Sequence, residues 1–462
     1  MARDKIVSQQ KRKTMDGIIR KWTCIFGLGL SLFLIPRSSG FAQSQPPPDF
    51  QGLAKEVTEG FSYHLRTFAY GIFQGPSDST QNPQNLFLRI PSRTAAGEIR
   101  ADFRLDFRTM KFLAKPRATG TWQQWDVGSS EGDKETDSDF FFNEWLAGIN
   151  LTQDLFASYG RENVQWGPSF LLSPSNPFFR DNGLSNPERE VPGMDFAALS
   201  WIPNSTWSLS FRANTNKGRQ TFIADQFERT YALKLDGTTY RKYASLILSY
   251  REGDRGRLGA FGGWTLSDAL FLYGEGTVTQ GTRDLYPVQN PASPFGIQMG
   301  PTKEGDTSAK GILLLGASYT VEAGPTLTLE YVFNSEGYNG KEADLYLQLR
   351  QNASVAFLLP DPLHSGGQSV LGQALNPRLR LLRQQYLFFQ YQHTRMWREL
   401  DVILRFTLNL DDQSSQFNPI LQYAVGRNIQ LFLVGTQNFG GGNTEFRSLV
   451  DYSWMLGLKY TF

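Results

Sequence analysis

The sequence predicts an all-β fold: a transmembrane antiparallel β-barrel of about 18 strands, with 16 as the alternative count, carrying long extracellular loops. Three features predict it. Apolar and polar residues alternate with a period of two. Ile99, Ala101, Phe103, Leu105 and Phe107 are interleaved with Arg100, Asp102, Arg104 and Asp106, so one face is apolar and the other charged. The alternating segments run to about ten residues, against five or six in a soluble strand, and a tilted strand of that length crosses a bilayer. The connections alternate short and long, as the two ends of an outer-membrane barrel do. Backbone polar groups in hydrocarbon must all be paired, so such strands have to close on themselves.

The chain of 462 residues opens with a targeting segment. Lys11, Arg12, Lys13, Arg20 and Lys21 precede an apolar stretch from Trp22 to Ile35, and the small residues Gly40 and Ala42 follow. This is the layout of a signal peptide over 1–42 with cleavage after Ala42. The apolar stretch is too short to span a membrane. Residues 1–42 hold eight basic and two acidic side chains, so the formal +2 of the full chain becomes −4 after cleavage. The apparent basicity belongs to the signal, and nucleic acid is not an expected partner. The one cysteine, Cys24, leaves with it, which excludes a disulfide scaffold; no Cys/His cluster suggests zinc, and no cofactor is expected. Residues 43–60 read as a periplasmic leader and 61–462 as the barrel.

Strands are expected near 61–73, 97–107, 110–120, 138–150, 154–162, 194–202, 206–215, 229–236, 241–251, 257–264, 269–280, 308–321, 326–336, 384–393, 399–410, 417–425, 428–438 and 448–462. With the first strand starting in the periplasm, every second connection is a short turn: 108–109, 151–153, 203–205, 237–240, 265–268, 322–325, 394–398 and 426–427. The opposite connections include the long ones, 74–96, 121–137, 163–193, 216–228, 281–307 and 337–383. The last strand carries Tyr452, Trp454, Leu456, Leu458, Tyr460 and Phe462 on one face. Its ending in Phe resembles the assembly signal of outer-membrane barrels, which implies recognition of Phe462 by the barrel-assembly machinery. Mean hydropathy is −0.36 although the chain has 35 Phe, 18 Tyr and 10 Trp. That combination excludes a disordered chain and a helical membrane protein. It fits the outer membrane of a Gram-negative-type bacterium, with lipid around the barrel and the oligomeric state open between monomer and trimer.

On strand 97–107 the inward face carries Arg100, Asp102, Arg104 and Asp106; on the next strand Lys111, Lys115 and Arg117 point the same way. In a narrow, low-dielectric channel such a wall sorts solutes by charge. Opposite charges on neighbouring strands also pair across the sheet, and for most of these residues pairing is the expectation.

Loop 163–193 is too apolar and proline-rich to stand in solvent, and loops of this length are functional or disordered. It is expected to fold inward and narrow or plug the pore. Arg161, Glu162, Trp166, Asn176, Arg180 and Asp181 are the polar and stacking groups it offers, and aromatic faces beside hydrogen-bonding groups suit sugars. The run Gly160-Arg161-Glu162, Trp166-Gly167-Pro168-Ser169 and Leu172-Ser173-Pro174-Ser175-Asn176-Pro177 resembles the Trp-Gly-Pro-Gly and Leu-Ser-Asn-Asn motif of the capsule-assembly Wzi family. Ser169 stands where that motif has its second glycine, and Ser-Pro-Ser-Asn replaces Ser-Asn-Asn. The resemblance implies an eighteen-stranded outer-membrane barrel that binds surface polysaccharide. The leader 43–60 is short for that family's periplasmic helical part.

Loop 337–383 contains Lys341–Phe357, which reads as an amphipathic helix followed by Pro360 and Pro362. Loop 121–139 is acidic (Asp126, Glu131, Asp133, Glu135, Asp137, Asp139) but lacks EF-hand spacing, so no metal site is assigned. The histidines are His64, His364 and His393, with no zincin, P-loop or nucleophile-elbow motif, and no enzyme is expected. The chain is too short for a 22-stranded transporter with its plug domain. The expected function is a porin-like channel for passive passage of small polar solutes, constricted by loop 163–193. The alternative is a Wzi-like barrel that binds polysaccharide without conducting.

Overall fold

The structure, a computed structural model, describes residues 50–220, 227–301 and 308–462. The expected signal peptide, Cys24 and most of the expected leader lie outside the described residues. The chain divides into Met1–Ala54 and Lys55–Phe462, and the second unit holds the barrel. Its elements follow the helix α1 (Phe50–Gly60): β1 (Phe61–Pro76), β2 (Arg93–Phe107), β3 (Met110–Gln124), β4 (Lys134–Asn150), β5 (Leu155–Glu162), β6 (Met194–Trp201), β7 (Trp207–Asn216), β8 (Thr230–Thr238), β9 (Lys242–Arg251), β10 (Gly256–Thr265), β11 (Leu270–Gln280), β12 (Leu285–Gln289), β13 (Ile297–Pro301), β14 (Ala309–Thr320), β15 (Thr326–Asn334), α2 (Gly340–Phe357), α3 (Leu363–Leu375), β16 (Gln385–Met396), β17 (Leu400–Asn409), β18 (Ser415–Val425), β19 (Ile429–Phe439) and β20 (Val450–Thr461).

Eighteen of these strands form one antiparallel sheet in chain order, with β11 pairing to β14 past the separate hairpin β12–β13. β1 pairs with β20, from Arg66 opposite Thr461 to Gln74 opposite Ser453, and this pairing closes the barrel. Closure settles the count at 18 rather than 16, and it leaves no strand edge inside the sheet's apolar band. One end carries the short turns (108–109, 151–154, 202–206, 239–241, 266–269, 321–325, 397–399, 426–428); the other carries 77–92, 163–193, 281–301, 335–384 and the other described loops.

Burial is inverted relative to a soluble sheet, as alternation demands of a sheet with lipid on one side. Leu246, Leu248, Leu313, Leu315, Tyr331 and Phe333 are exposed on the outer face, while Ile247, Leu314 and Val332 between them point inward and are fully buried. The inward apolar residues are covered by loops. Val164, Phe178, Phe179 and Val191 of the long loop pack on Met194, Phe196, Ala232 and Ile247. Leu172 packs on Tyr273, Ile312, Leu314, Val332 and Tyr386.

Four segments at the long-loop end differ from the sequence reading. β1 runs on to Pro76 and β2 begins at Arg93, so loop 74–96 shrinks to 77–92. β3 and β4 extend to Gln124 and from Lys134, so the acidic loop shrinks to 125–133. Above the bilayer both faces of a strand are polar, and the alternation that marks a strand disappears. Loop 281–307 contains the β12–β13 hairpin. Loop 337–383 contains the expected helix, begun by a capping box in which Asn339 accepts from Glu342 N and the Glu342 carboxylate accepts from Asn339 N. It also contains α3, which Gly366, Gly367 and Gly372 disguise in a propensity reading.

Candidate functional site: the inner loop and its anchors

Loop 163–193 lies inside the barrel and is fastened to its wall in sequence. At the start, Trp166 packs edge-on to Phe178 and sits under the Lys234 ammonium of β8, 5.6 Å from the ring centre. The chain then reaches β11. Glu275, buried on the inward face, accepts from Ser169 Oγ at 2.7 Å, Ser173 Oγ at 2.5 Å, Ser175 Oγ at 2.7 Å and Ser175 N at 3.1 Å. On β15 the buried Glu330 accepts from Phe170 N at 2.7 Å and Leu171 N at 2.9 Å, and from Tyr273 OH at 2.7 Å. Gly167 makes this approach possible. Its φ is +88°, and a Cβ there would lie 2.2 Å from Glu275 Oε2.

The loop doubles back, and Asn182 Nδ2 donates to Ser169 O and Phe170 O. Its return limb meets β17, where Arg405 donates to Leu184 O. Glu188 accepts from Gln422 of β18 at 2.5 Å and Lys459 of β20 at 3.2 Å, while its carbonyl accepts from Arg100 of β2 at 2.8 Å. Glu190 then pairs with Arg117 of β3 at 2.7 and 2.8 Å, and Asn143 of β4 reaches Val191 O. These contacts follow the order of the strands around the barrel. The limb therefore runs along the wall.

The expected site residues divide between wall and loop. Arg117 has no exposed side-chain surface; besides Glu190 it donates to Asp102 at 2.7 Å, and Asp102 also accepts from Arg66 at 2.9 Å. Arg100 is buried, paired with Glu98 at 2.7 Å and stacked 4.0 Å over Phe68. Both arginines hold the loop, so they do not face an open path. Lys115 pairs with Glu144 at 2.8 Å, Arg104 with Asp106 at 2.8 Å on an exposed stretch, and Lys111 stands 5.2 Å over the Phe156 ring. Arg161 pairs with Asp195 of the neighbouring strand β6, and Glu162 pairs with Arg212 of β7, one strand further on. Asn176 is fully buried, and its amide serves Val164 O, Phe178 N and Phe179 N inside the loop, which removes it from any solute. Arg180 donates to Arg378 O, and Asp181 pairs with Arg189. In the acidic segment Asp139 pairs with Arg219, and no three His, Cys, Asp or Glu among the described residues come together as a metal site.

Burial opposes the charge on Glu190, but Arg117, with Arg100 and Arg66 behind it, outweighs that effect and holds the carboxyl below the usual carboxylate range.

A second tier covers the long-loop end. Tyr286, Tyr338, Tyr346, Ala374 and Leu379 pack together, and Ala353, Phe357 and Leu371 pack under Leu86 and Phe87. Arg380 joins the tiers by donating to the carbonyls of Ser173 and Asn176. Glu445 accepts from Leu382 N, Tyr386 OH and Asn409 Nδ2, and burial pushes its carboxyl up to about 7. A carboxyl raised in the folded state favours folding in acid, and that contribution is lost as pH rises through about 7. Limited proteolysis of 440–449 is therefore expected to be slower near pH 5.5 than near pH 8, and Glu445→Gln to remove the difference. Faster cleavage in acid would contradict this.

Glu275 and Glu330 were missed in the sequence. Each is a lone inward acid in a mostly apolar strand, and that isolation is the signal that could have found them.

No known protein family matches the chain, and no curated protein matches it in sequence. Among solved structures it is similar to OccAB1 of Acinetobacter baumannii, with TM-score 0.53 and 12% identity over 87% of this chain and 97% of that one. OccK11 (OpdR) of Pseudomonas aeruginosa gives 0.52 and 12% over 87% and 96%; OprD, an outer membrane protein of Pseudomonas aeruginosa, gives 0.51 and 10% over 87% and 95%. The shared feature is the closed antiparallel barrel.

Proposed function

We propose that the chain is an outer-membrane channel for the passive passage of small polar solutes, constricted by loop 163–193. The observation that carries this reading is the course of the return limb: a segment that follows the wall narrows an opening, whereas one that crosses it closes the opening. The likeness to outer-membrane barrels supports the setting, and exposed Phe462 at the end of the last strand suits recognition by the assembly machinery. Arg104, Asp106, Lys111 and Lys115 are the wall residues for solutes at the short-turn side. The segment that resembles the Wzi motif is turned inward: Ser169, Ser173, Ser175 and Asn176 are buried against Glu275 and the loop itself, which leaves them unavailable to a glycan.

Single-channel conductance of the refolded mature chain tests the reading, with and without residues 163–193. Stable steps that grow on deletion are expected. An intact barrel that never conducts, while the deletion does, would make the loop a plug and favour polysaccharide binding.

A further inference from the structure

A cavity of about 170 Å³ lies in the tier at the long-loop end, bounded by Gln81, Tyr346, Arg350, Arg380, Glu445 and Leu449 among others. Two of these side chains carry unused polar atoms. Arg350 of α2 is 2% exposed, with its guanidinium carbon 5.3 Å from the centre of the Tyr346 ring; its Nε and Nη2 have no partner among the described residues. Gln81 is 3% exposed, and its Nε2 donates to Leu371 O at 3.0 Å. That bond fixes the amide orientation and leaves Oε1 as a buried acceptor without a partner among the described residues. The remaining charged groups of the cavity are engaged: Glu445 accepts three hydrogen bonds, and Arg380 donates to two carbonyls.

Nε and Nη2 form one edge of the guanidinium fork and match two oxygens of an oxyanion. A buried guanidinium left without an anion is costly, and so is a buried acceptor left without a hydrogen. We propose that this cavity binds inorganic phosphate, two of whose oxygens accept from Arg350 Nε and Nη2 while its P–OH donates to Gln81 Oε1. Sulfate and carboxylates satisfy Arg350 but bring no hydrogen to Gln81 near neutral pH. A phosphomonoester headgroup is largely without P–OH there, its second pKa being about 6. Binding is measured without transport.

The experiment is calorimetric titration of the folded mature chain in detergent at fixed ionic strength with inorganic phosphate, sulfate, acetate and phosphorylethanolamine. Saturable phosphate binding is expected, preferred about tenfold over the other three, the worth of one hydrogen bond to a buried acceptor. Arg350→Met is expected to abolish it. Gln81→Met keeps the guanidinium and is expected to bind phosphate and sulfate alike. Absence of phosphate binding by the wild type, equal binding of phosphate and sulfate, or undiminished binding by Arg350→Met overturns the proposal. Tighter binding of phosphorylethanolamine than of phosphate overturns it in favour of a headgroup site. Should Arg350→Met fail to fold, Gln81→Met decides: a phosphate preference that survives it overturns the proposal.

Discussion

Arg117→Met is expected to unfasten the return limb of loop 163–193 and raise single-channel conductance. The guanidinium is wholly buried and bridges Glu190 of the loop to Asp102 of β2. Removing it leaves two carboxylates facing each other, with Arg66 2.9 Å from Asp102 and 3.8 Å from Glu190 and the weaker fields of Arg100 on Glu190 and Lys115 on Asp102. Breaking one side of a buried ion pair costs ~3–5 kcal/mol. The side chains of Asp102 and Glu190 are 24% and 25% exposed, so solvent screening brings the expected cost to the low end, about 2–3 kcal/mol. The barrel sheet does not depend on the bridge, so the loss falls on the loop. Adding Glu190→Gln to Arg117→Met is expected to recover part of it by removing the stranded charge.

Acid tests the same bridge in the native chain. The Glu190 carboxyl is held below its ordinary range, so its contribution is complete above the ordinary carboxylate pKa and is lost as pH falls through the folded value. Conductance is expected to rise reversibly as the medium is acidified below the ordinary carboxylate range. Unchanged conductance in both Arg117→Met and acid would show that the bridge does not hold the constriction.

The second large effect is at the outbound limb. Glu275→Leu strips the acceptor from Ser169 and Ser175 at once, while Ser173 Oγ keeps Trp166 O, and each buried donor left unpaired costs ~1–3 kcal/mol. Gly167→Ala attacks the same contact from the other side, since its Cβ would lie 2.2 Å from Glu275 Oε2 at a φ of +88°. Arg180 and Arg189 are exposed on a fastened loop, and either variant is expected to make the loop cleavable there by trypsin in an otherwise folded, protease-resistant barrel. The double variant is expected to add little to Glu275→Leu alone, because removing the carboxylate also removes the clash. Full additivity would mean that the two residues act separately.

The barrel was legible in the sequence because its rules are local. Lipid outside and water inside impose a period of two on every strand. The alternation of short turns with long loops is read from one strand to the next, and the N-cap of α2 lies within four residues, Asn339 to Glu342. The strand extensions of β3 and β4 were not legible, because above the bilayer no apolar face marks a strand.

The anchors of the inner loop belong to a different category. The sequence showed that 163–193 is too apolar for solvent and that the wall of β2 and β3 is charged. It did not show that Ser169 meets Glu275, that Glu190 meets Arg117, or that Asn176 turns into its own loop. These partners are separated by up to a hundred residues and more, and they are neighbours only because the sheet closes with β1 on β20. Local pattern determined the barrel and an inward-folding loop. Closure alone decided which charges face one another across the lumen, because a pairing between distant strands leaves no periodicity in the chain.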